Sequence, residues 1–267
     1  MNNGSNYLKI NQDLWDKRTD VHFESEFYNV SDFIQGKSSL NPIELELLGD
    51  IRGKTVLHLQ CHFGQDSISL SRMGAKVTGV DLSPKAIERA EQLATECGTD
   101  TEFICCDVYD LPNHLDKEFD IVFTSYGTIG WLPDMDKWAG VVQQFLRPGG
   151  HFVFAEFHPV VWMFDEEMKE IEYGYFNTGP IIEGESGTYT DGGSALEGES
   201  VGWNHGLAEV MQALLDQGLI IKRIEEFDYS PYPCFKNVFE EEHGKFRFKE
   251  LKARIPMVYS ILAQKSN

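Results

Sequence analysis

The sequence predicts an α/β protein built on a doubly wound, mainly parallel sheet, and three observations carry that prediction. Short apolar runs at 55–60, 76–81, 101–106, 119–124 and 151–157 alternate with stretches of helical periodicity. A glycine turn, Cys61 to Gly64, follows the first run, and an acid, Asp81, closes the second. A βαβ unit places that turn and that acid at the same carboxyl edge of the sheet, where doubly wound folds bind ligands.

The elements follow in order. In Asn41-Pro42-Ile43-Glu44, Asn41 suits an N-cap, Pro42 the first helical position and Glu44 the reciprocal cap, so a helix runs through Leu48. Thr55 to Gln60 is the first strand, Asp66 to Met73 a helix and Lys76 to Asp81 the second strand. Ser83 caps and Pro84 starts a helix to about Cys97, before a third strand at Thr101 to Cys106 that ends on Asp107. Phe119 to Thr124 is a fourth strand, Met135 to Leu146 an amphipathic helix, Arg147 to Gly150 a tight turn and His151 to Phe157 a fifth strand. From 158 to 203 periodicity fades while Gly, Glu, Tyr, Thr and Ser accumulate, so this insertion is either short-stranded and laid over the active edge or partly disordered. A helix at about His205 to Gln217, a strand at Leu219 to Tyr229 and an apolar run at Pro256 to Ala263 then suggest a closing antiparallel pair. The chain reads as one domain: a helical cap (1–50), a ligand-binding core (51–157), the insertion (158–203) and the rest of the sheet (204–267).

Composition narrows the partners. The 267 residues, 42% of them apolar, supply a core for one large domain. Lys and Arg number 23 against 43 Asp and Glu, a net charge of −20 that repels phosphate backbones and anionic membranes. Neither a leader-like segment nor a membrane span is visible, and the five cysteines show no CxxC pair, so the expectation is a cytoplasmic chain with reduced thiols and no metal site.

Together the motifs resemble the class I S-adenosylmethionine-dependent methyltransferases. VLHLQCHFGQDS is similar to that family's glycine motif, usually VLDLGCGxG; VTGVDLS to its ribose acid; FICCDVYDLP to its adenine loop; FDIVFTSYGTIGWLPD to its fourth-strand motif; and LRPGGHFVFAE to its turn and fifth strand. The resemblance covers residues 50–157, with a tail at 205–263, and implies a Rossmann-like seven-stranded sheet whose last strand is antiparallel. It also implies S-adenosylmethionine as cofactor, S-adenosylhomocysteine as product and a small-molecule acceptor. Where the family has an acid and two glycines, this chain has His58, Gln60 and His62, as in the LQCHFGQD variant of small-molecule methyltransferases. That departure argues against a dinucleotide, whose pyrophosphate needs glycine backbone, more than against a phosphate-free ligand.

The resemblance assigns site residues, each beside a plainer reading. Asp81, with Leu82, would meet the ribose diol, or else serve the start of the next helix. Gly64 approaches the methionine moiety or merely forms a turn. Asp107 or the Cys106 to Val108 backbone meets the adenine amine, unless Asp107 is a solvated loop acid. Asp66 contacts the ammonium group or caps its helix. Gln60 and His62 shape or touch the cofactor in its loop, Thr124 and Ser125 end the fourth strand beside the expected methyl position and offer backbone carbonyls to the ammonium group, and Trp15 with Arg18 closes over the methionine carboxylate or simply docks a helix. His158 and His205 flank the insertion and are the candidate general bases, against structural roles. His58 packs within its strand. Trp131, Trp162 and Trp203 form an aromatic wall for a cation or planar acceptor, or pack the insertion. The alternatives for the whole chain are an NAD(P)-dependent oxidoreductase and a non-catalytic S-adenosylmethionine-binding protein.

Overall fold

The computed structural model describes residues 6–193 and 195–267. Seven strands form the central sheet: β1 (Thr55–Leu59), β2 (Lys76–Asp81), β3 (Glu102–Cys105), β4 (Phe119–Ser125), β5 (Leu146–Phe157), β8 (Leu219–Phe227) and β11 (Val258–Lys265). Their order is β3-β2-β1-β4-β5-β11-β8, and β11 runs antiparallel to both its neighbours. The predicted seven-stranded sheet with an antiparallel last strand is therefore present. The chain steps outward from β1 to β3, then returns to the other side of β1 at β4, which leaves a crevice at the carboxyl ends of β1 and β4.

Both faces of the sheet are covered, which is why its central strands read as continuous apolar runs rather than as alternations. Successive side chains of a strand point to opposite faces. Leu57 and Leu59 accordingly join Val122, Phe152, Phe154 and Ile261 under α6 (Met135–Phe145) and α7 (Leu207–Asp216), where Trp138 is fully buried. Val56, Ile121, Phe123 and Val153 pack instead beneath α3 (Pro42–Leu48) and α4 (Gln65–Arg72). Alongside α4 lies α5 (Pro84–Cys97), capped as predicted by Ser83, whose Oγ accepts the Ala86 N–H at 3.0 Å.

The structure modifies several expectations. Residues 147–150 form no separate turn but belong to β5, with a register shift against β4. A Cβ on Gly150 would stand 2.9 Å from the Arg147 carbonyl and 3.2 Å from that of Phe119, so glycine is needed where the backbones close up. The helical cap expected over 1–50 holds α1 (Tyr7–Glu24) and α2 (Val30–Ile34) ahead of α3. Within the insertion, β6 (Ile181–Ser186) and β7 (Glu197–Gly202) make an antiparallel hairpin, and the excursion before the last strand holds another, β9 (Val238–Glu242) with β10 (Lys245–Phe248).

The buried Asn11 side chain stitches helix α1 to the insertion at β7. Asn11 donates from Nδ2 to the Val201 carbonyl at 2.8 Å and accepts the Val201 N–H on Oδ1 at 2.9 Å, completing both backbone bonds of a β7 residue. Replacing Asn11 by Ala leaves two buried backbone groups unpaired, a cost of about 1–3 kcal/mol per group left unsatisfied. Hydrogen exchange should then accelerate in α1 and β7 while β1 and β4 keep their protection; equal acceleration in the central strands would show that this clamp is not local.

Candidate active site

A cavity of about 1150 Å³ opens at the carboxyl edge of the sheet, and α1, the insertion and the segment before β9 wall it in. Most of the residues singled out by sequence line it: Trp15, Arg18, Gln60, His62, Gly64, Asp66, Asp81, Leu82, Cys106, Asp107, Val108 and Ser125. Thr124 does not; it is fully buried and donates from Oγ1 to the Leu59 carbonyl at 3.2 Å.

The loop after β1 keeps a glycine-like backbone without glycine's side chain. Gln60, His62 and Gly64 have φ of 56°, 51° and 79°, in the left-handed region that costs a residue with a Cβ about 1–2 kcal/mol. Gly64 has no substitute, because a Cβ there would lie 2.7 Å from the Phe103 ring. The other two positions use their side chains. Gln60 Nε2 donates to the Thr128 carbonyl at 2.8 Å, tying this loop to the one after β4, and its Oε1 is buried with no protein partner. His62 Nε2 meets His22 Nδ1 at 3.1 Å, and His22 Nε2 meets Thr188 Oγ1 of the insertion at 2.7 Å. Burial, with Arg18 adding to it, drives His62 down to about 3; burial, then His62 and Arg18, drives His22 down to about 2. Both rings are neutral at neutral pH, and one proton serves the bond between them.

Asp81, at the end of β2, borders the same loop. Its Oδ2 accepts the His62 N–H at 2.8 Å and its Oδ1 the Ser83 N–H at 2.9 Å, so the carboxylate is fixed in orientation and each oxygen retains an acceptor lone pair. Burial pushes its pKa up to about 6 against the pull of those N–H donors. Asp107 caps the turn that follows β3, accepting the Tyr109 N–H at 3.2 Å. Asp66 accepts from Ser125 Oγ at 3.1 Å and is raised by burial. Trp15 sets its edge against His62 and Trp131, with ring centroids 5.2 and 5.4 Å apart, while the Arg18 guanidinium lies 5.4 Å from the Trp15 ring.

The two candidate bases are otherwise engaged. His158 is absent from the cavity wall: its Nε2 meets Glu226 Oε1 of β8 at 2.9 Å, its Nδ1 accepts the Val160 N–H, and it serves the corner after β5. His205 borders the cavity, but its Nε2 donates to the Leu132 carbonyl at 2.7 Å and its Nδ1 meets Glu209 Oε1 at 3.0 Å. His58 bonds Ser67 Oγ at 2.8 Å inside the core, and burial lowers it to about 3. The tryptophans separate as well. Trp131 lies on Trp15, Trp203 packs against Tyr7, and only Trp162 stands at the mouth, beside Phe157 and Phe235.

Three residues outside the sequence expectation shape the cavity. Glu156, buried at the end of β5, accepts the N–H groups of Gly127, Thr128 and Ile129 and the Thr128 hydroxyl. Tyr126, directly after β4, lines the cavity and donates to Glu44. His22 is the link to the insertion. An acid inside the apolar run HFVFAEF is the available signal for Glu156; nothing local distinguishes the other two from surface residues.

The chain folds as an α/β protein with a large cavity at the carboxyl edge of its sheet. Residues 56–150 match the family model described as a methyltransferase domain. A ubiquinone biosynthesis O-methyltransferase of Chromobacterium violaceum is 29% identical over 144 residues, 53% of this chain and 56% of that one, so the chain spans little more than half of that relative's length. Among solved structures, an S-adenosylmethionine-dependent methyltransferase from Mesorhizobium loti superposes with a TM-score of 0.56 at 21% identity, over 87% of this chain and all of the other. The DhpI–SAH complex superposes with a TM-score of 0.57 at 19% identity over 98% of each chain, a likeness of fold. Residues 56–150 thus carry a methyltransferase-domain match, and the chain shares the fold of solved S-adenosylmethionine-dependent methyltransferases.

The buried acids and histidines give opposite pH signatures. Asp81, raised from 3.8 to about 6, holds its proton more tightly folded than unfolded, so it withdraws stability as pH rises from about 4 to 6. His58, lowered from 6.5 to about 3, contributes stability above pH 6.5 that disappears as pH falls toward 3. Melting temperatures across pH should therefore show Asp81→Asn gaining on the wild type as pH rises from 4 to 6, and His58→Asn gaining as pH falls from 6.5 to 3. Flat differences would remove the buried-charge account.

Proposed function

We propose that this protein transfers a methyl group from S-adenosylmethionine to a small-molecule acceptor. The observation that carries the reading is the Asp81 carboxylate, held against the left-handed loop by the His62 N–H and fixed on its other oxygen by the Ser83 N–H, and able to accept from two neighbouring hydroxyls. The inner wall carries Asp66, Asp81, Asp107 and Glu156 against Arg18. Such a wall opposes the pyrophosphate of a dinucleotide and favours a cation, which disfavours the oxidoreductase alternative. The O-methyltransferase relative and the neighbour solved with SAH point the same way.

The residues fit the cofactor. Asp81 would hold the ribose diol, Asp107 with the Cys106–Val108 backbone the adenine edge, Asp66 and the unpartnered Gln60 Oε1 the ammonium group, and Arg18 the carboxylate. Bound there, S-adenosylmethionine supplies a methyl group already activated by positive charge on sulfur. The chain's own task is alignment: it orders the acceptor and excludes water beneath α1 and the β6–β7 hairpin, an effect worth up to about 7–11 kcal/mol in well-aligned systems. The acceptor would occupy the part of the cavity bounded by Phe27, Tyr126, Phe157, Trp162, Tyr232 and Phe235. No helix among the described residues is long and apolar enough to cross a membrane. The described cysteines are all unpaired, which suits a reducing cytoplasm.

Calorimetry with S-adenosylmethionine, S-adenosylhomocysteine and NAD tests the assignment. The first two should bind and NAD should not, and Asp81→Ala should weaken both by roughly 10- to 150-fold, the loss of a charge-assisted pair of hydrogen bonds at about 1.5–3 kcal/mol. Affinity untouched by Asp81→Ala removes the ribose role. Assays of S-adenosylhomocysteine release over a panel of phenols, catechols, alcohols and amines then identify the acceptor.

A further inference from the structure

We propose that Tyr126 and Glu44 form a proton relay that removes the proton of the acceptor atom as the methyl group arrives. The inference rests on the methyl-transfer reading above and supplies the base that neither His158 nor His205 is placed to be.

The geometry begins with the backbone. Tyr126 follows Ser125 at the end of β4 with φ 31°, a strained value for a bulky residue, and such outliers persist only where their surroundings fix them. Here the surroundings are explicit: the Tyr126 N–H donates to the Ala155 carbonyl at 2.7 Å, and the next three N–H groups all go to Glu156. The ring is set between Phe157 and Tyr232, with centroids 5.6 and 5.2 Å away, and lines the cavity. Its hydroxyl donates to Glu44 Oε2 at 2.7 Å. The other Glu44 oxygen accepts the Asn41 N–H at 2.6 Å, so the carboxylate cannot swing away, and Asn41 Nδ2 donates to Tyr232 Oη at 2.6 Å.

Glu44 is therefore more than the reciprocal cap of α3. It is fully buried, and capping a helix requires no burial. The titratable groups facing it are Asp66 of α4, Tyr126 and Tyr232, while Arg223 of β8 reaches α3 at the neighbouring Glu46. Burial first, and then Asp66, raises Glu44 to about 7, which suits a carboxylate that takes and returns a proton near neutral pH. Burial and the Glu44 charge push the Tyr126 phenol well above its ordinary value, so Tyr126 acts by passing a proton on rather than as a standing phenolate.

The step balances. The acceptor X–H bond breaks and its proton goes to Tyr126 Oη as the Tyr126 proton goes to Glu44 Oε2. The electron pair left on X forms the X–CH3 bond, the methyl–sulfur bond breaks, and that pair neutralises the sulfonium as the thioether leaves. Glu44 returns its proton to water after product release. A relay of this kind is required only when X carries a proton at neutral pH. With Phe27, Phe157, Trp162, Tyr232 and Phe235 around it, the site fits a hydroxyl on a flat aromatic skeleton.

Tyr126→Phe and Glu44→Gln test the relay, and glutamine preserves the helix cap. With the phenol that the wild type methylates fastest, each substitution should lower kcat roughly 10²- to 10⁴-fold, and the double variant should be no worse than either single one. Affinity for S-adenosylhomocysteine by calorimetry should stay within about twofold. Wild-type kcat/KM should rise through about pH 7 and level off, a limb that Glu44→Gln lacks. Nitrophenols already ionised at the assay pH should be nearly indifferent to both changes. A loss of kcat below about threefold, or equal losses for ionised and neutral phenols, overturns the relay while leaving cofactor binding, and so the methyl-transfer reading, intact. Absence of cofactor binding to the wild type would instead fail the reading beneath it. Infrared titration of labelled Glu side chains gives a readout independent of any acceptor: a carboxyl band near neutral pH, lost in Glu44→Gln and displaced in Tyr126→Phe, is expected, and its absence overturns the relay.

Discussion

The site depends on one buried carboxylate. Glu156 ends β5, the strand beside β4, and gathers the N–H groups of Gly127, Thr128, Ile129 and its neighbour Phe157 together with the Thr128 hydroxyl. Removing a carboxylate from water costs several kcal/mol, and burial raises its pKa accordingly. Only a dense set of donors offsets that cost, so the loop after β4 has little freedom to adopt another shape. From this loop the rest follows: Trp131 donates to the Gly127 carbonyl, Gln60 to the Thr128 carbonyl, and Tyr126 is presented to the cavity at a backbone angle it would not choose alone. A mobile loop here would uncouple the Gln60–His62 side of the cavity from the Tyr126 side.

The same trade appears in the loop after β1. A glycine motif is ordinarily explained by close approach to a ligand, yet Gln60 and His62 occupy left-handed positions that glycine would fill without strain. The strain is retained because their side chains span distances glycine cannot: Gln60 reaches the loop after β4, and His62 reaches α1 through His22. Gly64 is the position that sterics leave no choice about, with the Phe103 ring where a Cβ would be. Loss of glycines here transfers rigidity from the backbone to side-chain bonds.

This division explains what could be read from sequence. The strands β1, β2, β4 and the last two-thirds of β5 were legible because burial on both faces writes itself as apolar runs, and Asp81 was legible because it closes one of them. The β5 start was misplaced because a glycine-bearing irregularity has the composition of a turn. Helix α1 was less visible than the others: it meets the protein through Asn11, Arg18, Thr19 and His22 as well as Leu14, so its buried side carries polar residues. His158 and His205 were attractive because histidine suits proton transfer, but their engagement with Glu226, Glu209 and Leu132 is set by residues distant in sequence. Glu44 illustrates the reverse: a local capping signal was correct as far as it went, while its bond to Tyr126 spans 82 positions.

Long-range bonds also join the insertion to the Asp81 side of the cavity. From Asp81 the chain of contacts runs through the His62 backbone to its ring, to His22, and on to Thr188 in the insertion, while Asn11 fastens the same helix to β7. A ligand that engages Asp81 and the His62 loop therefore acts on one end of a network whose other end is the lid. Any state in which α1 lifts must break the His22–His62 bond and uncover two neutral histidines that burial keeps far below their ordinary pKa. In water each would regain most of its basicity, so opening takes up protons and becomes easier as pH falls below about 6.5. The orientation of Asp81 and the seating of α1 against the insertion are thus coupled through the same pair of rings, so that on the proposed reading cofactor occupancy and the exclusion of water would be coupled as well.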